Sequence, residues 1–245
     1  MNGSTMAGTY KSRGIVFKCL KYSENSVIVD LYTLDKGMRS YIISGLSSKK
    51  NRAKSILFQH LNILNVVAYD KPDGQLARIK EQSIAYHYTR LHIDVVRSSI
   101  GLFALEVSRN SIKEFEQNKA LYDYIESFFV YLDTCDSGTG LLAIKYMLDL
   151  TVHLGIVPMG NWSTVKPYFD LYEGQYKAQA GKYTISSESS RMIYKIHTVA
   201  VVDLSEISTN KKERDLLLDH MLMYYRLHIE HFQELKSIDV LRTIF

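Results

Sequence analysis

The chain has 245 residues, of which 46% are hydrophobic and 23% are charged, a composition typical of a soluble globular protein rather than a disordered or fibrous one. It contains no apolar run of about 18 residues, so no membrane-spanning helix is expected, and its polar first residues do not resemble a secretory signal. Cys19 and Cys135 lie far apart and outside any CxxC motif, which argues against a disulfide framework and favours a reducing cytoplasm.

The charge is distributed unevenly along the chain. The formal net charge is +4, but residues 1–82 hold 13 Lys and Arg against 6 Asp and Glu, whereas the rest of the chain holds 17 against 20. A basic N-terminal part on a nearly neutral body indicates that the first part meets a polyanion.

Short alternating segments separated by turn residues characterise the N-terminal part and predict five strands. The predicted strands are 14–20, 26–34, 38–44, 61–69 and 76–82. Asp35-Lys36-Gly37 and 70–74 are turn signals, and one helical turn is expected around 56–58. Five strands with a longer link between the third and fourth predict an OB-type β-barrel over residues 1–82, with an SH3-like barrel as the structural alternative.

From residue 83 onward the hydrophobic period changes to three or four, which predicts a helical domain over residues 83–245. Asp94, Asn118 and Asn210 are predicted helix caps, with Glu213 completing a capping box at Asn210. Further helices are expected at about 139–154 and 187–201, and the last helix is expected to reach about residue 235. Residues 156–184 have no helical period and are expected to be irregular. The predicted fold class is therefore α+β, a five-stranded barrel followed by an all-helical domain.

Catalytic motifs are missing from the sequence. It contains no GxxxxGK[ST], GxSxG or HExxH, and no carboxylate pair stands out, so we expect no enzyme activity, no catalytic residue and no cofactor. The glycines of the GTG sequence at 138–140 follow no predicted strand and are interpreted as the start of a helix. His220, His228 and His231 are interpreted as ordinary residues of an amphipathic helix.

A basic loop gives a stronger functional signal. Residues 49–54 place four cations within six positions, which suits contacts to phosphates. Arg39 and Tyr41 are two apart on one predicted strand and so share a face, and a cation beside an aromatic ring suits unstacked bases. The predicted nucleic-acid-binding residues are Lys18, Lys21, Arg39, Tyr41, Lys49, Lys50, Arg52 and Lys54.

Several segments together resemble the RecO family of bacterial recombination mediators. They are KSRGIVFK at 11–18, YSENS at 22–26, LYT at 31–33 with Gly37, LFQ at 57–59 with Leu61, LARIK at 76–80, LDLTVHLGIVP at 148–158, FDLYEG at 169–174, YRLHI at 225–229 and LKS at 235–237. Each motif is weak, but their order and spacing span almost the whole chain.

The resemblance implies an N-terminal OB domain that binds single- and double-stranded DNA, annealing of complementary strands, and a cytoplasmic, nucleoid-associated location. It also implies work with RecR, and with RecF, to load RecA onto DNA coated with single-strand-binding protein. The acidic, apolar C-terminal tail of that protein is expected on the helical domain. From charge alone, Arg97, Arg109 and Lys145 are the candidate residues for receiving it.

One departure from the family pattern concerns zinc. Many relatives carry a cysteine cluster in the region that corresponds to residues 155–183, and this chain has no cysteine there. We therefore expect no metal, with the segment held instead by Trp162, Tyr168, Phe169, Tyr172 and Tyr176.

Two other functions remain open on the sequence. An RNA-binding or translation-associated OB protein would prefer RNA by reading the 2′-hydroxyl group. A metal-dependent hydrolase using the histidine-bearing helix would carry tightly bound metal.

Overall fold

The structure is a computed structural model that describes residues 8–45, 52–112 and 116–244. Its N-terminal part is a closed barrel with strand order β1-β2-β3-β5-β4. The barrel strands are β1 Thr9–Lys21, β2 Ser26–Thr33, β3 Gly37–Ser44, β4 Ile63–Tyr69 and β5 Ala77–Ile84. All neighbours are antiparallel except β3 and β5, which run parallel and close the barrel.

Every second side chain along the strands points inward, and these side chains fill the interior of the barrel. The buried core comprises Val16, Val29, Leu31, Tyr41, Ile43, Phe58, Leu64, Val66, Ala68 and Ala77. Phe58 follows the short helix α1 Arg52–Leu57 and lies among these residues at 1% exposure. The Asn62 side-chain amide donates hydrogen bonds to the carbonyls of Ile56 and Leu57 at 2.9 and 3.0 Å, which satisfies the end of α1.

The expected fold class, a five-stranded OB-type barrel followed by a helical region, is confirmed. Chain contacts divide the molecule into two compact units. The first unit combines the barrel with the first part of α3 Lys119–Thr134, up to residue 129, and the second begins at Thr89 and holds the remaining helices. In the first unit the Tyr122 ring stacks on Tyr32.

The second unit is built around a buried helix. Its helices are α2 Val95–Ser111, the last turn of α3, α4 Leu142–His153, α5 Ser187–Thr198, α6 Lys211–His228 and α7 Ile238–Ile244. All residues from Leu142 to Leu148 are buried, and α4 packs against α2, α5 and α6. No helix within the described residues is both long enough and apolar enough to cross a membrane.

The helix starts follow the expected caps. The Asp94 side chain accepts the Arg97 N–H at 3.0 Å, and the Asn118 side chain accepts the Leu121 N–H at 3.0 Å. Asn210 and Glu213 form the predicted capping box, with reciprocal hydrogen bonds of 3.0 and 2.9 Å. The last long helix, however, ends at His228 rather than near residue 235, and α7 follows.

The segment expected to be irregular contains a small hairpin, β6 Tyr168–Asp170 and β7 Gln175–Lys177. Phe169 and Tyr176 are buried and their rings lie 5.0 Å apart, as expected for residues that hold the segment. Tyr172 does not hold it, since 59% of its surface is exposed. Helix α6 contacts the segment at two points: the Tyr224 hydroxyl donates to the Ile156 carbonyl at 2.6 Å, and a ring nitrogen of His228 lies 2.9 Å from the Leu171 carbonyl in the hairpin turn.

Candidate nucleic-acid interface

An apolar row crosses the outer face of four barrel strands. Cross-strand pairing aligns Leu20 with Ile28, Ile28 with Ile42, and Ile42 with Arg78. Their immediate neighbours Val29, Tyr41 and Ala77 belong to the barrel core, so these four side chains alternate to the outside. Leu20 is 48% exposed and the two isoleucines are half-buried. The row gives the barrel an exposed apolar strip that ends in a cation.

A polar row runs beside this strip. Lys18 pairs with Asp30 across β1 and β2, and Asp30 pairs with Ser40 across β2 and β3. The Ser40 hydroxyl donates to the Asp30 carboxylate at 2.6 Å. Among the described residues Lys18 makes no ion pair within 4.0 Å. Its ammonium group is therefore available to an external anion.

The loop between β1 and β2 extends the strip at one end of the barrel. Backbone N–H groups of Tyr22 and Ser23 both donate to the Ser26 carbonyl, at 2.9 and 3.1 Å, which makes the turn tight. Tyr22 is 61% exposed, and Lys21 beside it is also exposed. A fixed, exposed tyrosine next to a lysine suits stacking of a base and contact with its phosphate.

A groove of about 310 Å³ opens where β3 and β5 separate beyond their two paired positions. Its lining includes Ile42, Ser44, Arg78 and Lys80. Arg78 makes no ion pair with any described residue, and the Lys80 ammonium lies 3.8 Å from Glu81. Sequence reasoning did not select these two cations, although their spacing of two residues on one strand places them on the same outer face.

Two of the sequence-predicted residues on β3 do not join this surface. Tyr41 lies inside the barrel at 0% exposure, and its hydroxyl hydrogen-bonds that of Tyr10. Burial, reinforced by the Tyr10 hydrogen bond, raises the pKa of Tyr41 above its ordinary value. The Arg39 side chain is 11% exposed and pairs with Asp73 at 2.5 Å. A buried ring cannot stack on a base, so the expected pairing of a cation with an aromatic platform fails at this position.

The basic loop is only partly covered by the structure. Lys49 and Lys50 lie outside the described residues. Arg52 and Lys54 lie on α1, and for these two residues the structure describes the backbone but not the side chains. Of the predicted set, Lys18 and Lys21 therefore lie on the outer surface of the barrel, which also carries Tyr22, Arg78 and Lys80.

The three cations predicted for a partner tail have different surroundings. Arg97 is buried, and its guanidinium donates to the carbonyls of Leu132 and Cys135 at 2.5 and 2.6 Å. Lys145 is also buried and donates to Asp149 at 2.7 Å and to the His197 carbonyl at 3.0 Å. The charged groups of both residues therefore already hydrogen-bond to other groups of the second unit.

Arg109 differs from those two cations because it is exposed, in the last turn of α2. It follows Leu102 and Val95 at intervals of seven residues, which places the three side chains on one face of the helix. Val95 is 69% exposed and Leu102 is 42% exposed. This apolar stripe ending in a cation is defined as the α2 stripe.

Within the part of the chain that the structure describes, no three His, Cys, Asp or Glu side chains lie close enough together to hold a metal ion. A ring nitrogen of His228 lies 2.9 Å from the Leu171 carbonyl, and His231 is largely exposed. Burial lowers the pKa of His220. The β6–β7 segment does not fit the cysteine zinc cluster that the family resemblance suggests for this region, because it offers no thiolate and its interior is filled by Phe169 and Tyr176.

Comparison with known proteins covers almost the whole chain. Residues 6–88 match the family model described as Recombination protein O N terminal, and residues 92–237 match Recombination protein O C terminal.

Similar curated proteins carry one name, "DNA repair protein RecO". Those of Flavobacterium psychrophilum and Christiangramia forsetii are each 32% identical over 236 residues, and that of Bacteroides fragilis is 30% identical over 238 residues. In all three cases the match covers 96% of this chain and 98% of the relative. The chain therefore belongs to the RecO family of DNA repair proteins.

Proposed function

We propose that this chain is a recombination mediator that binds single- and double-stranded DNA through the outer face of its barrel and anneals complementary strands. The observation that carries the proposal is the apolar strip of Leu20, Ile28 and Ile42 on the barrel surface, together with Lys18 and Arg78, which form no ion pair with any residue that the structure describes. Cations without internal partners can neutralise phosphates, whereas the apolar strip and Tyr22 suit the faces of unstacked bases.

Annealing on such a surface needs no bond to be made or broken. Neutralising the phosphates of one strand lowers its repulsion from the complement, and holding the strand at the surface raises the local concentration of its partner. We therefore propose a protein that acts in the cytoplasm without enzyme activity and without consuming a cofactor.

The first test neutralises Lys18 and Arg78 on the outer surface of the barrel. In the Lys18→Gln/Arg78→Gln variant we expect weaker binding to single-stranded DNA. The plot of the logarithm of the binding constant against the logarithm of the salt concentration should also be shallower by about 1.4, because each phosphate contact to a single strand contributes about 0.7 to its slope. Fluorescence anisotropy titrations at several salt concentrations measure both quantities.

The matched control changes two exposed lysines on helices of the second unit, in Lys195→Gln/Lys212→Gln. It removes the same net charge from positions that also make no ion pair among the described residues. Equal losses in the two variants would show that only overall charge matters and would contradict the assignment of the face. Parallel titrations with RNA of the same sequence separate the DNA proposal from the RNA-binding alternative.

We further propose that the helical unit works with partner proteins: RecR, RecF, RecA and the C-terminal tail of single-strand-binding protein. The α2 stripe supports the tail contact, because Val95 and Leu102 offer apolar surface and Arg109 offers a cation for an acidic, apolar peptide. Arg97 and Lys145 are left out of this contact, since both are buried and hydrogen-bonded internally.

A labelled tail peptide tests the stripe. Replacing Arg109 with Glu should weaken the affinity for the peptide at least about 5-fold, because a favourable charge contact becomes a repulsive one. Arg191→Glu, at an exposed position on α5, is the control and should bind as the wild type does. Unchanged affinity in Arg109→Glu would remove the stripe from the proposal.

A further inference from the structure

An exposed aromatic stack lies at the tip of the β6–β7 hairpin, outside the barrel face already described. Tyr172 and Tyr183 face each other with ring centroids 5.2 Å apart and planes inclined by 24°. The Lys182 ammonium lies 4.9 Å from the centroid of the Tyr183 ring. Although stacked, Tyr172 remains 59% exposed, so much of its ring is open to solvent.

The backbone beneath Tyr172 is fixed. The Asp170 carboxylate accepts the N–H groups of Tyr172 and Glu173, each at 2.9 Å. The Leu171 N–H donates to the Tyr183 carbonyl at 3.0 Å, which ties the two tyrosine-bearing segments together. A ring held in this way loses little conformational entropy when a ligand stacks on it.

The surroundings of the stack favour an anionic ligand with a flat face. Glu173, next to Tyr172, is compensated by Lys177 at 2.5 Å and by the Gln175 amide at 2.7 Å, so Lys182 remains as a cation beside the rings. An aromatic platform with an adjacent cation is the arrangement that holds a base and its phosphate in single-strand binders.

We propose that Tyr172 and Tyr183, with Lys182, form a second stacking site for single-stranded DNA on the helical unit. The proposal rests on the function proposed above, because annealing requires two strands and the barrel face accounts for one. One strand lies on the barrel, and the tyrosine stack engages an unpaired base of the other.

Photo-cross-linking on the full chain tests the site directly. An oligothymidylate carrying 5-iodouracil is irradiated with the protein, and the cross-linked peptides are identified by mass spectrometry. We expect a cross-link at Tyr172 in addition to those in the barrel. Tyr172→Ala should remove it and slow strand annealing about 5-fold, the effect of losing one base stack. Tyr172→Phe keeps the ring and should behave as the wild type.

The outcomes separate this site from the barrel proposal. Cross-links confined to the barrel, with annealing by Tyr172→Ala at the wild-type rate, would overturn the second site and leave the barrel proposal standing. A wild-type protein that binds no oligonucleotide would overturn both. Unfolding in urea checks the folded state of the variants, and the cross-link map of the wild type is independent of it.

Discussion

At the residue scale, Asp133 stabilises the start of the second unit. It is buried at 0% exposure in the last turn of α3, and its carboxylate accepts the N–H groups of Thr89, Arg90 and Leu91 at 3.1, 2.8 and 2.7 Å. Burial alone would raise the pKa of Asp133, but these hydrogen bonds outweigh it and lower the pKa below its ordinary value.

Replacing Asp133 with Asn should reduce the free energy of unfolding by about 2–4 kcal/mol, because the hydrogen bonds lose their charge assistance and one accepting oxygen becomes an NH2 group that faces N–H donors. Urea denaturation measures the change. The control is Asp136→Asn, which breaks an exposed ion pair with Arg90 and should leave the free energy of unfolding almost unchanged. Equal stability of Asp133→Asn and wild type would show that the three hydrogen bonds contribute nothing.

The lowered pKa of Asp133 also predicts how stability depends on pH. A carboxyl group whose pKa is lower in the folded state stabilises the fold fully above its unfolded pKa, near 4, and loses that contribution as the pH falls through the folded value. We expect the difference in unfolding free energy between wild type and Asp133→Asn to shrink below about pH 4. A difference that stays constant from pH 7 to pH 3 would contradict this origin.

The burial of individual side chains could not be predicted from the sequence. Alternation correctly places Arg39 and Tyr41 on one face of β3, but it does not say that this face is the interior of the barrel. Arg97 and Lys145 lie on helices as expected, yet their partners, the carbonyls of Leu132 and His197, are 35 and 52 positions away along the chain. The residues next to Arg97 and Lys145 in the sequence therefore do not indicate that these cations are buried and hydrogen-bonded.

At the element scale, the β6–β7 hairpin depends on one glycine. Gly174 has a φ of 66°, and a Cβ atom at this position would lie 2.9 Å from the Tyr224 hydroxyl. Gly174→Ala should therefore lower the free energy of unfolding by about 2 kcal/mol, from backbone strain and the close contact. Gly181→Ala is the control, because nothing lies within 4 Å of its Cβ position. Thermal melting compares the two variants, and equal melting temperatures would contradict the strain expected at Gly174.

The elements themselves were largely predictable. Turn residues and alternation locate the five barrel strands, and the caps Asp94, Asn118 and Asn210 locate three helix starts, because these signals are local. The β6 and β7 strands were missed since each has three residues, too few to show a period. Their position is set by the packing of Phe169 on Tyr224 of α6.

The basic loop carries a prediction of its own. Changing Lys49, Lys50, Arg52 and Lys54 to Glu should weaken DNA binding across all sequences, because phosphate contacts do not distinguish bases. Anisotropy with oligonucleotides of different composition measures this. Unchanged affinity in the quadruple variant would remove the loop from the interface.

At the scale of the whole molecule, we propose that the chain anneals DNA through the outer surface of its barrel. The uneven charge along the sequence pointed to the barrel, whereas the particular face emerged from the register that aligns Leu20, Ile28, Ile42 and Arg78. Membership of the RecO family supports a role in DNA repair.

The most direct measurement follows annealing of complementary labelled strands, without ATP or metal, by the wild type and by Lys18→Gln/Arg78→Gln. We predict that the wild type accelerates annealing and that added salt abolishes the acceleration. The double variant should lose most of the acceleration, whereas Lys195→Gln/Lys212→Gln should keep it. Annealing by the double variant at the wild-type rate, or no acceleration by the wild type at low salt, would contradict the account.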